Sequence, residues 1–388
     1  MKKVIIFRND LLFRSETFIK EQARFLSRWQ PVLVGYDQVK DGLDLSGLEF
    51  RIIPGAASRT IGRYALRLLR MLGLPHQSTV EALRAVDAQL VHAHFGTDAT
   101  DIWPSVKVLG LPMVVTLHGY DINIHREWWE SGRGGIHRRV YPRRLLKMAQ
   151  DPTVHFIAVS QAIKRRAVGY GIPEDKITVC YTGVDTERFK PGGLPIDQRG
   201  KRILFVGRMV DKKAPLLLIR AFSEVRKQVA DAELVMIGDG PLLEGARQLA
   251  QDLNIPVEFC GAQNSNYVLT ELNRARVLCL PSVTADNGDA EGFGLVILEA
   301  QASGVPVVTS AQGGADEGVL NGCTGYTFEE CDLHSMVQGL LGLIGTAADL
   351  MGTSAAAVQY VQDRFDVRDC SACLEHIFDR VTATERRI

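Results

Sequence analysis

Hydrophobic residues in this chain are concentrated in short runs rich in Val and Ile, separated by longer segments with helical spacing. In the first half the runs lie at residues 4–7, 31–36, 90–94, 113–117 and 155–160. The second half repeats the rhythm at residues 202–207, 233–238, 257–261, 277–281 and 305–310. Near-continuous apolar strands that alternate with helices are typical of parallel sheets covered on both faces. The pattern therefore predicts an α/β protein with two doubly wound, Rossmann-like sheets.

The boundary between the two series is marked by composition. Residues 191–200 combine proline, glycine and polar side chains without periodicity, which is typical of a linker. We therefore predict an N-terminal domain over residues 1–190 and a C-terminal domain over residues 201–364. Residues 365–388 have apolar positions at helical spacing, which predicts a C-terminal helix that packs back on the N-terminal domain.

The hydrophobic pattern predicts no targeting or spanning segment. No apolar run is long enough to cross a bilayer, and Arg8 and Asp10 interrupt the first run too early for a signal peptide. We expect a cytoplasmic protein, at most peripheral at the inner face of the membrane. Net charge is zero, but residues 1–190 hold 28 Lys and Arg against 19 Asp and Glu. This basic half predicts contact with an anionic surface or ligand.

The seven cysteines predict no disulfide framework, because their number is odd and two of them, Cys260 and Cys279, lie inside strand-like runs. Cys370 and Cys373 form a lone Cys-x-x-Cys pair in a helical segment. Without a second pair, this spacing favours buried or half-buried thiols over a metal or redox site.

Residues that follow each strand are candidates for ligand binding, because ligands of open parallel sheets lie beyond the carboxyl ends of the strands. These residues are Gly207, Arg208, Lys213, Gly238 and Gly261 in the second half, and His94, His118 and Asp121 in the first. Since both sheets present such ends, we expect the site in a cleft between the domains.

The stretch DAEGFGLVILEA, residues 289–300, predicts a loop that leads into a helix. If the helix begins near Gly294, its free N–H groups form a phosphate site. Glu291, just before the helix, can reach hydroxyl groups on the moiety that the phosphate carries. Glu299, more than one turn into the helix, can bind a hydroxyl pair as acidic residues do with ribose.

Two cations complete this set, because Arg208 and Lys213 are suited to the second phosphate of a diphosphate. The ligand that these residues predict is a nucleotide-diphosphate sugar. We expect no metal and no other cofactor, since the cations and the helix start supply the compensating charge. Asp286 and Asp289 are better explained by a turn at Asn287-Gly288. His92 and His94 alternate on one strand, but no third metal ligand has suitable spacing.

A family resemblance rests on these motifs. The segments VGRMVDKKAPLLLIRAF, ELVMIGDGPL and DAEGFGLVILEAQASGVPVVTS resemble the donor half of the retaining glycosyltransferases of family 4, which have the GT-B architecture. The segments SETFIKEQ, LVHAHFG, VVTLHGYDI and FIAVSQ resemble the acceptor half, especially of bacterial exopolysaccharide and lipopolysaccharide enzymes. The match runs almost from end to end.

The resemblance implies a role for each matching position. Arg208 and Lys213 would bind the diphosphate and stabilise it as it leaves, and Glu299 would hold the ribose. Glu291 and the backbone at Phe293, Gly294 and Leu295 would hold the donor sugar, with Gly207, Gly238 and Gly261 also on the donor side. His118, from the other domain, would sit over the reacting sugar. The catalytic set implied is His118, Arg208, Lys213 and Glu291.

The chain departs from the family pattern at three places, one of which is the segment GGADEG, where the common proline before Glu317 is absent. Family members often have Gly after the lysine, where this chain has Ala214-Pro215; proline fits a first helical turn, so we expect the fold to survive. The loop RNDLLFRSE replaces the paired glycines that many members carry after the first strand. Acceptor-side candidates are Arg14, Ser15, Glu16, His94 and Asp121, and Asp121 could equally be catalytic or a helix cap.

We therefore predict an enzyme that transfers a sugar, with retained configuration, to the hydroxyl group of an acceptor such as a lipid-linked saccharide in cell-surface polysaccharide biosynthesis. The alternative is a non-catalytic nucleotide-sugar-binding protein of the same fold. A nicotinamide dehydrogenase is excluded, because no GxGxxG follows the first strand. No nucleic acid partner is expected.

Two segments predict contact with an anionic membrane surface. Residues 57–74 place arginines at helical spacing, and residues 126–147 are enriched in tryptophan and arginine. The residues concerned are Arg59, Arg63, Arg67 and Arg70 in the first segment and Trp128, Trp129, Arg138, Arg139, Arg143 and Arg144 in the second. An alternative is a solvated face, or a site for an acceptor's phosphate.

Overall fold

The computed structural model describes residues 1–54, 69–310, 313–345 and 349–385. The chain forms two compact units, and the first is discontinuous in sequence. It consists of Met1–Gly183 together with Val367–Ile388, whereas the second consists of Val184–Asp366.

The first unit is built on a seven-stranded parallel sheet with the strand order β5-β3-β1-β6-β7-β8-β9, and β2 and β4 form a separate two-stranded sheet. The strands are β1 Lys2–Phe7, β2 Asp10–Leu11, β3 Trp29–Gly35, β4 Asp37–Gln38, β5 Glu49–Ile52, β6 Leu90–His94, β7 Met113–Leu117, β8 Val154–Ala158 and β9 Ile177–Val179. Helices follow most strands: α1 Thr17–Arg24, α2 Gln77–Arg84, α3 Gly96–Val108, α4 Tyr120–Asn123, α5 Arg126–Glu130, α6 Tyr141–Ala149 and α7 Gln161–Tyr170.

The second unit has a six-stranded parallel sheet with the order β12-β11-β10-β13-β14-β15. Its strands are β10 Arg202–Val206, β11 Glu233–Ile237, β12 Val257–Gly261, β13 Val277–Leu280, β14 Val307–Ser310 and β15 Gly325–Phe328. Its helices are α8 Pro215–Gln228, α9 Leu243–Asp252, α10 Ser265–Leu272, α11 Leu295–Ala302, α12 Leu333–Ile344 and α13 Leu350–Phe365, and helix α14 Val367–Glu385 returns the chain to the first unit. Among the described helices, none combines the length and the apolar character needed to cross a bilayer.

The predicted fold class is confirmed: every apolar run named above contains a parallel strand, and the central strands are buried on both faces. The structure adds β5, β9 and β15, which the hydrophobic pattern did not indicate. β5 is half-exposed at the sheet edge, β9 has three residues, and β15 consists of the sequence GYTF. None of these segments contains a continuous buried apolar run, so the sequence signal was weak.

The domain boundary lies earlier than the predicted linker. The second unit begins at Val184, so residues 191–200 lie inside it. Arg199 is buried, and its Nη1 donates to the carbonyl oxygens of Leu272 at 3.1 Å and Ala275 at 3.0 Å. The Pro/Gly composition is therefore explained by an irregular segment fastened to the end of α10, since buried carbonyl groups need donors.

The C-terminal helix belongs to the first unit. Glu375 on α14 is buried, and its Oε1 accepts hydrogen bonds from the N–H groups of Ser27 at 2.8 Å and Trp29 at 3.1 Å. The ring of Trp29 packs edge-on against Phe378, with centroids 5.6 Å apart. Phe378 lies in the same buried cluster as Ile6 and Leu33 of the sheet. The helix therefore completes the hydrophobic core of the first unit.

Candidate active site

The loops that follow β10 and β11 cross in direct backbone contact. The N–H of Gly207 donates to Ile237 O at 3.0 Å, and the N–H of Met209 donates to Asp239 O at 2.9 Å. Gly238 has a φ of +144°, and a Cβ there would lie 1.8 Å from the carbonyl oxygen of Gly207. Only glycine fits this crossing, which fixes the backbone on both sides of Arg208.

Arg208 is exposed at the carboxyl end of β10. Its guanidinium makes no ion pair or hydrogen bond with any other residue that the structure describes. Gly261 ends β12, which lies next to β11 in the sheet, and its carbonyl accepts from the N–H of Gly238 at 2.8 Å. A cation without a protein partner at this edge of the sheet is free to bind an anion.

Lys213 is held by an unusual turn. Residues Asp211–Lys213 form a single 3-10 turn, and Ala214 adopts the left-handed conformation with φ 44° and ψ 48°. Pro215 then occupies the first position of α8, where its fixed φ suits the helix. Alanine in this conformation is strained by roughly 1–2 kcal/mol. Helix α8 therefore forms although Ala214-Pro215 departs from the family pattern. The backbone next to Lys213 is strained as a result.

Glu291 is the partner of Lys213. The ammonium group of Lys213 forms an ion pair with Glu291 Oε2, and the hydroxyl of Ser282 donates to the same oxygen at 3.4 Å. Burial would raise the pKa of Glu291, but Lys213 and Lys212, together with these hydrogen bonds, hold that pKa below its ordinary value. Glu291 is therefore ionised at neutral pH, and it positions the ammonium group.

The loop at residues 292–294 leads into helix α11, as the sequence predicted. Gly294 is the N-cap with a φ of +78°, and the first hydrogen bond of the turn runs from Ile297 N–H to Gly294 O at 2.8 Å. The amides of Leu295 and Val296 precede that bond, so they carry the partial positive charge of a helix start. Phe293 is buried against Phe365, with ring centroids 5.4 Å apart. Phe293 thus anchors the loop.

Glu299 lies one turn into α11, and its surroundings differ from those of Glu291. Its carboxyl group makes no hydrogen bond with the residues that the structure describes, and it is mostly buried. Burial raises the pKa of Glu299 to about 7, although Arg188 acts to lower it. A buried carboxyl group without a hydrogen-bond donor suits a ligand that brings its own hydroxyl groups.

Three histidines line up in the first unit. His94 Nδ1 lies 3.0 Å from His118 Nε2, and His92 Nε2 lies 2.7 Å from the hydroxyl of Thr116. Phe18 packs on His118, with ring centroids 4.8 Å apart. Burial lowers the pKa of His92 to about 3, and it lowers the pKa values of His94 and His118 well below their ordinary range. All three imidazoles are neutral at neutral pH.

Asp121 supports the loop that carries His118. It is fully buried, and its carboxylate accepts from the N–H groups of Gly96 at 2.7 Å, Gly119 at 3.0 Å and His118 at 3.1 Å. Burial raises the pKa of Asp121 to about 6, although these amide hydrogen bonds act to lower it. Of the two roles left open by the sequence, the geometry favours the cap, because both oxygens are occupied by backbone amides.

Arg8 is a buried residue that the sequence analysis did not select. Its guanidinium pairs with Asp98 and Glu16, and it lies 4.5 Å from the centroid of the Phe95 ring. Phe95 has a φ of +68°, which is rare for an aromatic residue. Glu16 is therefore occupied inside the unit and does not present a free carboxylate to an acceptor. Arg8 directly follows β1, so the search for residues that follow a strand could have selected it.

Of the remaining acceptor-side candidates, two are at the surface and one is buried. Arg14 and Ser15 are exposed, and Arg14 Nε donates to the carbonyl oxygen of Asp41 at 2.8 Å. His94 is buried within the histidine cluster, so its environment is that of a supporting residue.

A polar cavity of about 530 Å³ opens at the carboxyl ends of β1 and β3. Its lining contains charges of both signs, with Asp101 Oδ2 at 2.5 Å from Arg70 Nη2 and at 3.0 Å from Asn9 Nδ2. The lining residues are Asn9, Asp10, Tyr36, Arg70, Met71, Asp101, His137 and Arg138. Mixed charges and amide groups suit a hydroxyl-rich ligand.

The two segments predicted to contact a membrane need correction in part. Arg59, Arg63 and Arg67 lie outside the described residues. Arg70 is used inside the unit, because it pairs with Asp101 and lies 4.4 Å from the Tyr36 ring centroid. Trp129 is fully buried beneath Tyr120 and Tyr141, so it cannot face lipid, and Trp128 is half-buried.

The loop before Glu291 is held by an ion pair and by a backbone hydrogen bond within the loop. Lys212 Nζ lies 3.1 Å from Asp289, and the N–H of Ala285 donates to Asp289 O at 2.9 Å. In the described part of the chain, no cluster of three or more His, Cys, Asp or Glu residues has the arrangement of a metal site.

The fold and these sites define a glycosyltransferase of the GT-B architecture. The structure resembles that of the Anabaena protein HepE in complex with UDP-glucose, with a TM-score of 0.78 over 98% of this chain and 100% of that one, at 17% identity. It also resembles the apo form of the lipopolysaccharide outer core galactosyltransferase WaaB, with a TM-score of 0.67 over 98% of this chain and 100% of that one, at 17% identity.

The chain belongs to glycosyltransferase family 4. The sequence model of Glycosyltransferase Family 4 matches residues 16–188, and that of Glycosyl transferases group 1 matches residues 186–346. A GDP-mannose-dependent monoacylated alpha-(1-6)-phosphatidylinositol monomannoside mannosyltransferase from Corynebacterium glutamicum is 32% identical over 79% of this chain and 81% of its own length. The amylovoran biosynthesis glycosyltransferase AmsK of Erwinia amylovora is 28% identical over 83% of this chain and 77% of its own length.

Proposed function

We propose that this glycosyltransferase moves a sugar from a nucleotide-diphosphate sugar to a hydroxyl group of a lipid-linked saccharide, with retained configuration, during cell-surface polysaccharide assembly. The names of two relatives support this acceptor class: AmsK is a polysaccharide biosynthesis enzyme, and the Corynebacterium glutamicum enzyme acts on a phosphatidylinositol mannoside. HepE, a neighbour by fold, was solved with UDP-glucose, which supports the donor class.

One observation carries the proposal: the second unit holds two cations and a helix start at the carboxyl edge of a single sheet. Arg208 has no protein partner among the described residues, and Lys213 is held by Glu291 just before α11. A diphosphate can bind the two cations and the amides of Leu295 and Val296. Glu299 then offers a carboxyl group to the ribose hydroxyls. We propose that these residues form the donor site.

The proposed transfer needs no carboxylate nucleophile. The bond between the anomeric carbon and the diphosphate oxygen breaks, and the acceptor oxygen bonds to that carbon on the same face. The acceptor's hydroxyl proton passes to the departing diphosphate oxygen. Arg208 and Lys213 offset the negative charge that develops on the diphosphate. The imidazole of His118 in the first unit is neutral at neutral pH, since burial holds its pKa well below its ordinary value.

We propose that the reaction proceeds without a metal ion, because the two cations and the helix start already compensate the diphosphate. Initial rates measured with excess EDTA should equal those without it. A complete loss of activity that magnesium or manganese restores would contradict this proposal.

For the acceptor we propose the polar cavity of the first unit. Its carboxylates, amide and guanidinium groups can hydrogen-bond several sugar hydroxyls at once. Asp10 is an informative position, because no ion pair or hydrogen bond engages its side chain among the described residues. Asp10→Asn should raise the acceptor KM several-fold and leave the donor KM unchanged.

Membrane contact is proposed for the segment of residues 133–147. Ile136 is 76% exposed and Val140 is 39% exposed, and the exposed Arg139 and Arg143 flank them. Apolar tips among basic residues suit an anionic lipid interface. Wild type should co-sediment at low salt with vesicles containing phosphatidylglycerol, and Ile136→Ser with Arg139→Gln and Arg143→Gln should reduce binding. Wild type that stays in the supernatant would direct the search to soluble acceptors.

The overall function is tested by a donor panel. Purified protein is incubated with UDP-, GDP- and ADP-sugars and a lipid-linked saccharide, and released diphosphate is measured beside the glycosylated product. NMR of the new linkage then compares its anomeric configuration with that of the donor. Retention with one donor class supports the proposal, whereas an inverted linkage contradicts the mechanism. Tight donor binding without turnover for any acceptor would favour the non-catalytic alternative.

A further inference from the structure

Three cysteines converge in the first unit, where the strand β9 meets helix α14. Cys180 directly follows β9, and its Sγ lies 3.6 Å from the carbonyl oxygen of Cys370. Cys373 lies one turn after Cys370 on the same face of α14, and its thiol interacts with that of Cys180. Cys180 and Cys370 are buried, whereas Cys373 is exposed. One exposed thiol therefore contacts one buried thiol that comes from a segment 193 positions away.

The surroundings of the thiols are tightly packed. Gly183 has a φ of +76°, and a Cβ there would lie 2.8 Å from the Cα of Val367 and 3.0 Å from Cys370 Sγ. The segment after β9 thus lies directly on the first turn of α14. Packing at this density holds Cys180 and the face of α14 that carries Cys370 and Cys373 in fixed register.

The two segments are also the places where the chain leaves and re-enters the first unit. The first unit is interrupted after Gly183 and resumes at Val367. Cys180 lies three residues before the exit, and Cys373 lies six residues after the return. A bond between them would enclose the whole second unit in a covalent loop.

We propose that Cys180 and Cys373 form a reversible disulfide when the protein meets a small disulfide such as oxidised glutathione. The exposed thiol of Cys373 is the point of attack, and Cys180 is the resolving thiol. Cys370 takes no part, because it is buried and the thiol of Cys373 interacts with Cys180 and not with Cys370.

The reaction consumes one molecule of oxidised glutathione and releases two molecules of glutathione. The Cys373 thiolate attacks one sulfur of oxidised glutathione, which breaks the S–S bond and releases one glutathione thiolate. The Cys180 sulfur then attacks the Cys373 sulfur, and the second glutathione thiolate departs with the proton of Cys180. The two cysteines lose two electrons, and the oxidised glutathione gains them. The hydrogen bond from Cys180 lowers the pKa of Cys373 to about 6, which favours the thiolate that the first step needs.

The test is peptide mapping of the full-length protein after incubation with oxidised glutathione, with free thiols alkylated before digestion. The expected product is a cross-linked peptide pair containing Cys180 and Cys373, which excess dithiothreitol reverses. Cys323 is the internal control, because it is exposed and its thiol makes no hydrogen bond with the described residues. It should gain glutathione without forming a protein disulfide.

Three variants separate the roles. In Cys180→Ser, the mixed disulfide of Cys373 with glutathione should accumulate, since the resolving thiol is absent. In Cys373→Ser, Cys180 should stay reduced because it is buried. Cys370→Ser should form the disulfide as wild type does. A Cys370–Cys373 bond in wild type, or glutathione on Cys373 at the level seen on Cys323 with Cys180 still free, would overturn the proposal. The wild-type map decides even if a variant fails to fold.

Discussion

Arg208 and Lys213 carry the same charge but differ in what they hold when no ligand is bound. Arg208 has no protein partner among the described residues, whereas Lys213 neutralises the mostly buried Glu291. Removing a donor that stabilises developing charge typically lowers the rate about 100- to 1000-fold. We therefore expect Arg208→Ala to lower kcat by that order with an unchanged melting temperature. Lys213→Ala should lower kcat similarly and also destabilise the protein by about 1–3 kcal/mol, because a buried carboxylate loses its partner.

The measurement pairs steady-state kinetics with thermal unfolding. Arg220→Ala is the matched control, since Arg220 is exposed on helix α8 and makes no ion pair among the described residues. It should leave both quantities unchanged. Arg208→Ala with activity within tenfold of wild type would remove Arg208 from the site.

Glu299 should show opposite effects on stability and on binding. Its folded pKa of about 7 lies above the ordinary value of 4.5, so its contribution to stability is present at low pH and is lost as the pH rises from 4.5 through 7. Glu299→Gln removes this loss. We expect it to raise the free energy of unfolding by about 3 kcal/mol at pH 8, with little change at pH 4.5, and to weaken nucleoside diphosphate binding.

Denaturant unfolding at the two pH values and calorimetric titration with UDP, GDP and ADP provide the check. Glu329→Gln is a matched control, because Glu329 is an exposed acidic residue of the second unit whose side chain makes no ion pair or hydrogen bond among the described residues. If Glu299→Gln destabilises the protein equally at both pH values, Glu299 has a hydrogen-bond partner in the folded state.

Residue types at the donor site were predictable from sequence, but their contacts were not. Arg208 and Lys213 were selected because they follow a strand, and Glu291 was selected because it precedes the helix start in residues 289–300. The ion pair between Lys213 and Glu291 joins residues 78 positions apart, which no local pattern specifies. Glu16 shows the same limit: it was predicted to lie on the acceptor side, and its ion pair with Arg8 depends on the burial of Arg8, which no local pattern reports.

At the scale of elements, the crossing of the loops after β10 and β11 leaves no room for a side chain at Gly238. Gly238→Ala places a Cβ 1.8 Å from the carbonyl oxygen of Gly207, which is backbone and cannot rotate away. We expect this variant to lose at least about 3 kcal/mol of stability and to bind the donor weakly, since the loop that carries Arg208 must move.

The control is Gly245→Ala in helix α9. No atom lies within 4 Å of a Cβ at Gly245, and alanine in a helix is favoured over glycine by roughly 0.5–1 kcal/mol. Chemical denaturation should therefore show a gain for Gly245→Ala beside the loss for Gly238→Ala. Equal effects of the two substitutions would mean that the loop crossing relaxes without penalty.

The hydrophobic pattern predicted the central strands and missed the edges, for a physical reason. Central strands are buried on both faces and read as continuous apolar runs, whereas β5 shows two exposed and two half-buried residues. The segment 191–200 was predicted as a linker because Pro and Gly interrupt periodicity. Its attachment depends on Arg199 reaching carbonyl groups at the end of α10, which is a tertiary interaction that composition does not report.

At the scale of the whole molecule, the buried histidines should make the first unit acid-sensitive. The pKa of His92 is about 3 in the folded state against an ordinary value of 6.5, so the stability it contributes is present above pH 6.5 and lost as the pH falls. At pH 5 this histidine alone lowers stability by about 2 kcal/mol. His94 and His118 act in the same direction, and Asp121, with a pKa of about 6, opposes them below pH 6.

Tryptophan fluorescence can follow this transition selectively, because all four tryptophans lie in the first unit. They are Trp29, Trp103, Trp128 and Trp129. Urea unfolding between pH 7 and pH 5 should show falling stability in wild type, and His92→Gln should take up about one proton fewer on unfolding. A variant with the same pH dependence as wild type would show that His92 is already protonated in the folded state.

The interrupted layout of the first unit has a consequence for protein synthesis. A ribosome delivers residues in order, so the second unit has its whole sequence by Asp366, while the first unit still lacks Phe378 and the carboxylate of Glu375 that binds Ser27 and Trp29. Until α14 is synthesised, the sheet of the first unit therefore exposes an apolar face, which chaperones can recognise. A circular permutant that begins at Val367 and joins its old termini by a short linker supplies α14 first. In cell-free translation, its first unit should become protease-resistant before the second unit is made, whereas in the natural order that resistance should arise only after the last helix emerges.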